Sequence, residues 1–117
     1  MFIRSLFVLI IASSPVFADP AVVQNVTMEK SGDSWRFDVT IKHTDIGWED
    51  YADGWRIMDA DGKELGMRNL AHPHVNEQPF TRSLSGVKIP EGVTEIGVQA
   101  RETVGGWSSE VVRLKLR

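Results

Sequence analysis

Between Trp35 and Lys42 apolar and polar residues alternate without a break, Trp35-Arg36-Phe37-Asp38-Val39-Thr40-Ile41-Lys42. A period of two puts Trp35, Phe37, Val39 and Ile41 on one face of an extended chain, which is the mark of a half-buried strand. The same rule recurs near the C-terminus. Ile96, Val98 and Ala100 alternate with Gly97, Gln99 and Arg101, and Val112, Leu114 and Leu116 alternate with Arg113, Lys115 and Arg117. Each of these segments has one apolar and one polar face, as an antiparallel sheet with one wet side requires.

Weaker strands are predicted over Val22 to Glu29, Gly54 to Met58, Leu65 to Leu70 and Phe80 to Ile89. Turn-forming clusters separate them at Ser31-Gly32-Asp33, Asp59-Ala60-Asp61-Gly62, Pro90-Glu91-Gly92 and Gly105-Gly106. No window of eleven or more residues carries a helical apolar stripe, and no internal repeat is present. The expected fold is therefore all-β, an immunoglobulin-like sandwich of about seven antiparallel strands.

Residues 1–18, MFIRSLFVLIIASSPVFA, stand outside this pattern. One basic residue, Arg4, precedes an apolar run from Leu6 to Ala12, and Val16-Phe17-Ala18 ends in small-residue character, so the segment is expected to be a secretory signal peptide cleaved after Ala18. The mature chain would be a single domain, residues 19–117, in the periplasm or outside the cell. It carries 12 Lys and Arg against 16 Asp and Glu, a net charge of −4 that disfavours nucleic acid and anionic membrane as partners. There is no cysteine, which removes disulfides, thiolate metal sites, cysteine nucleophiles and a lipid-anchoring Cys after the leader. Beyond Ala18 no apolar stretch is long enough to span a membrane.

Val87-Lys88-Ile89-Pro90-Glu91-Gly92-Val93-Thr94-Glu95-Ile96-Gly97-Val98-Gln99-Ala100, followed by Gly105-Gly106-Trp107-Ser108-Ser109-Glu110, resembles the strand E to strand G region of a fibronectin type III domain. Trp35 stands roughly where that family has its strand B Trp. The family's Tyr at the start of the penultimate strand is replaced here by Thr94 or Ile96. The resemblance implies the architecture of the superfamily, with strands in the order A, B, C, C′, E, F, G. The segment Ala71-His72-Pro73-His74-Val75-Asn76-Glu77-Gln78-Pro79-Phe80-Thr81-Arg82-Ser83 also resembles the signature of a small secreted bacterial family of unknown function, and so implies no activity.

In that order the B–C, C′–E and F–G loops emerge at one end of the sandwich, and all three histidines lie on or beside them. His43, His72 and His74, completed by a carboxylate from Asp45, Glu49, Glu77 or Glu102, form a candidate Cu²⁺ or Zn²⁺ site, because imidazole nitrogen suits those ions without any thiolate. The acidic run Asp45 to Asp53 holds four carboxylates and no Lys or Arg, a further source of oxygen ligands such as Ca²⁺ takes. Trp48, Tyr51 and Trp107 fall on the same loops. With His74 and Phe80 they make a candidate contact surface for another envelope or extracellular protein, since loop aromatics offer large rigid area at small entropic cost. No nucleophile elbow, metalloprotease helix or phosphate-binding glycine loop is present, and no enzymatic activity is expected.

Overall fold

The computed structural model describes residues 19–116, so the leader expected over residues 1–18 and its cleavage point lie outside the described residues. Eight strands follow in chain order: β1 (Val22–Ser31), β2 (Ser34–Lys42), β3 (Ala52–Met58), β4 (Glu64–Asn69), β5 (Phe80–Val87), β6 (Glu95–Glu102), β7 (Gly106–Trp107) and β8 (Val112–Lys115). The fold is all-β, with no helix among the described residues.

The strands form two antiparallel sheets. In one, β2 lies between β1 and β5, with Ile41 opposite both Val23 and Phe80. In the other, β4 pairs β3 and β3 pairs β6; the free edge of β6 is then shared by β7, through Arg101 and Glu102, and by β8, through Glu95 to Val98. β8 lies within the predicted Val112 to Arg117 strand, and the two-residue β7 is an eighth strand where Gly105-Gly106 was expected to form a turn. This order is consistent with the immunoglobulin-like arrangement expected from the sequence.

The core is where the alternating faces meet. Phe37, Val39 and Ile41 of β2 are fully buried together with Trp55 and Ile57 of β3 and Ile96, Val98 and Ala100 of β6, while Trp35 packs half-buried at the margin. Removing each such side chain from water contributes roughly 1.5–3 kcal/mol for residues of the Val to Phe class. The opposite face of β2 stays wet and is bridged by polar groups. Thr40 meets Thr81 of β5 at 2.8 Å, and Asp38 accepts from Arg36 and from Ser83.

β5 ends at Val87, two residues short of the predicted Ile89, and Gly86 just before its end has φ of +74°. There the register between β2 and β5 slips, and a residue without Cβ takes up the bulge at least cost. No helix among the described residues is long and apolar enough to cross a membrane.

Candidate functional site

The alternation of β2 does not stop with the strand. Ile41, His43 and Asp45 are buried while Lys42, Thr44 and Ile46 are exposed, so two polar side chains continue the core face into the end of the sandwich. His43 Nδ1 lies 2.7 Å from Asp45 Oδ1, and both side chains are wholly buried. Asp45 accepts two more hydrogen bonds, from Ala52 N at 3.0 Å and from His74 N at 2.7 Å. Gln78 completes the tie, accepting from His43 N and donating to the carbonyl of His74, each at 3.0 Å. The loops 43–51 and 70–79 are therefore joined through one carboxylate and one amide.

The third loop, 103–105, joins them through the backbone of Tyr51, whose N–H donates to Thr103 Oγ1 and whose carbonyl accepts from Thr103 N. Within the first loop, Asp50 N donates to Gly47 O and Ile46 N to Asp50 O, which makes a tight turn with Trp48 and Glu49 at its tip. That turn sends Asp50 back inward. Its Oδ1 comes 3.6 Å from His43 Nε2, and neither atom has a hydrogen-bond partner. Glu102, buried at the end of β6, accepts from Val104 N and Gly105 N, and Glu102, Asp50 and His43 each offer a ligand atom within 4.8 Å of the others.

The three loops do meet, but the histidines do not share one centre. Only His43 of the three belongs to the group of possible ligands; Glu102 joins it, and Asp50, expected from the sequence only as part of the acidic run Asp45 to Asp53 and not of the histidine set, is the third member. Asp45 is held by three donors and orients His43 instead of facing an ion. His74 enters the network by its backbone. Its ring stacks on Phe80, 3.9 Å between centroids, and its Nε2 accepts from Arg82 Nη2 at 2.9 Å, so the lone pair a metal would need is taken. His72 is exposed, with Nδ1 3.0 Å from the carbonyl of Pro73. Glu49 sits at the exposed loop tip, and exposed Glu77 lies 3.6 Å from Arg82.

The aromatic set divides in the same way. Trp48 is 67% exposed and meets half-buried Tyr51 edge to face at 5.6 Å. Trp107 lies in β7, not on a loop, and is flanked by the guanidinium carbons of Arg56 at 3.9 Å and Arg101 at 5.0 Å. His74 and Phe80 are buried and belong to the packing beneath the loops, not to a contact surface. A surface hollow of 340 Å³ beside Lys30, Trp35 and Arg36 lies at the other end of β2, away from this constellation.

Burial, then the Arg82 cation and His72, hold the His74 imidazole below its ordinary value of 6.5. The folded protein therefore takes up its proton at lower pH than the unfolded chain, and stability present above about pH 6.5 is lost as the pH falls through the lowered value. In urea unfolding, the stability advantage of the parent over a His74→Gln variant is expected to be largest near pH 7.5 and to shrink near pH 5.5. A difference that grows on acidification would contradict a neutral buried imidazole.

No family model and no solved structure matches the chain. The chain is 36% identical over 93 residues to a protein of Halomicrobium mukohataei described as "Putative lipoprotein". That alignment takes in 79% of this chain and 45% of the relative, so the chain spans about half the length of the protein to which it is similar.

Proposed function

We propose that the chain is an exported, non-enzymatic accessory module that engages another envelope or extracellular protein through its three-loop end, with Trp48 as the anchor. The observation that carries this reading is where the exposed apolar residues fall. Of the large hydrophobic side chains exposed among the described residues, Ile46 and Trp48 lie on the first loop, Val75 on the second and Val104 on the third, leaving only Val22 elsewhere. Apolar side chains scattered singly mean little, but their concentration on loops tied to one another marks an interaction surface. The tie matters energetically, because a loop already ordered by Asp45 and Gln78 loses little further entropy when a partner covers it.

Export is supported by the leader pattern of residues 1–18 and by the description of the relative as a lipoprotein. A photo-crosslinking residue at position 48 is expected to trap one protein in the native envelope fraction, while the same residue at exposed Thr94, before β6, traps none. Trp48→Ser should leave stability within about 0.5 kcal/mol of the parent. It should weaken binding of the trapped protein about 30-fold, as loss of a buried aromatic anchor does. Equal trapping from both positions, or unchanged affinity of the variant, would sink the reading.

A further inference from the structure

A histidine ring nitrogen and two carboxylates converge at the loop end, and two of the facing atoms, His43 Nε2 and Asp50 Oδ1, have no hydrogen-bond partner. His43 Nδ1 faces the Asp45 carboxylate at 2.7 Å, and a carboxylate accepts, so Nδ1 is the donor of that bond and Nε2 is the ring nitrogen left to take a ligand. His43 Nε2 lies 3.6 Å from Asp50 Oδ1, and both atoms are buried and unpartnered. Glu102, Asp50 and His43 each offer one ligand atom within 4.8 Å of the others. The ring of His43 is completely shielded from solvent, so water does not relieve the conflict from its side. Among the described residues the arginines and lysines that form ion pairs do so with Asp33, Asp38, Asp53, Glu64 and Glu77, and none with Asp50 or Glu102. Two carboxylates and an unpartnered ring nitrogen in one partly desolvated corner attract a cation.

The geometry points to a divalent cation site of the Zn²⁺ class, with His43 Nε2, Asp50 and Glu102 as ligands and Asp45 as the carboxylate that orients the histidine. The nitrogen donor selects the borderline transition ions, because Ca²⁺ takes six to eight oxygens and Mg²⁺ prefers carboxylates and water. Ligands at about 2.0–2.1 Å from a tetrahedral Zn²⁺ stand about 3.3–3.4 Å apart, so the 3.6 Å between His43 and Asp50 is already close to what the ion requires. Three protein ligands leave the fourth position to water. A carboxylate on the second ring nitrogen is the usual outer partner of a metal-binding histidine, and here it is Asp45. The ligands come from the residue that follows β2, the turn closed between Gly47 and Asp50, and the end of β6, so the ion would fasten one sheet to the other at the loop end. This inference stands apart from the partner reading, since either can hold without the other.

The test is a titration of the chelator-stripped purified protein with Zn²⁺ alone, followed through the His43 ring nitrogens by NMR, with Co²⁺ in parallel for its visible absorption. One equivalent is expected to bind, shifting His43 Nε2 and leaving the ring of His72 in place. Asp50→Asn and Glu102→Gln should each lower Zn²⁺ affinity at least tenfold, whereas Glu49→Gln and Glu77→Gln should leave it unchanged. Should Glu102→Gln fail to fold, Asp50→Asn decides, because Asp50 Oδ1, the atom that faces His43, has no hydrogen-bond partner to lose. No saturable binding by about 100 µM Zn²⁺ overturns the inference, as does equal weakening by all four variants or an unmoved His43 signal at saturation.

Discussion

Asp45→Ala is expected to lower the free energy of unfolding by about 3–5 kcal/mol, the range found when one member of a buried, hydrogen-bonded polar set is deleted. The carboxylate is inaccessible to solvent and accepts from His43 Nδ1, Ala52 N and His74 N. Its removal strands three donors at once, and each buried donor left without a partner costs about 1–3 kcal/mol. Against a total stability of about 5–15 kcal/mol this is a large fraction. Asp45→Asn keeps the shape but turns an amide NH₂ toward one of those donors, so its cost should be smaller and still clear. Urea unfolding checks the magnitude, and amide exchange checks the mechanism: Ala52 and His74 should lose protection before the centre of β2 does. A change below about 1 kcal/mol would show that the loops are held by something other than this carboxylate.

How far such a centre can be read in advance depends on whether a local period or a long-range closure places the residue. The alternation from Trp35 to Ile41 carries straight through to His43 and Asp45, so their inward direction was legible. Asp50 was not, because its direction is set by the turn closed between Gly47 and Asp50 and not by any period. His74 was misjudged for a related reason. Residue type suggested a ligand, but the backbone N–H is what reaches Asp45, and the ring is occupied by Phe80 and Arg82. Gln99 shows the same limit on a strand: alternation puts it on the wet face of β6, yet its side chain accepts from Arg56 at 2.7 Å and donates to Ser108 O at 2.7 Å. Pairing also displaced the boundaries. β3 begins at Ala52, two residues before the expected Gly54, where Asp45 takes up the Ala52 N–H, and the short β7 carries no pattern of its own.

Val98→Asp is expected to leave no folded domain. Val98 is fully buried at the middle of β6, opposite Ile57 of β3 on one side and Val112 of β8 on the other. The substitution loses roughly 1.5–3 kcal/mol of apolar burial. It also places a carboxylate in the apolar cluster that holds Phe37, Val39, Ile57 and Ile96, and the effective penalty for an unpaired buried ion is several kcal/mol. Together these are comparable with the whole of a marginal stability at the lower end of about 5–15 kcal/mol. Phe37→Asp should do the same from the facing sheet, since Phe37 is equally buried at the middle of β2. Val98→Ala, which removes volume without adding charge, should instead cost about 1–3 kcal/mol and keep the dispersed NMR spectrum of the parent. The contrast separates loss of packing from burial of charge. A native-like spectrum from Val98→Asp would mean that β6 does not run through the core, and with it would go the placement of Glu102 at the strand's end beside His43.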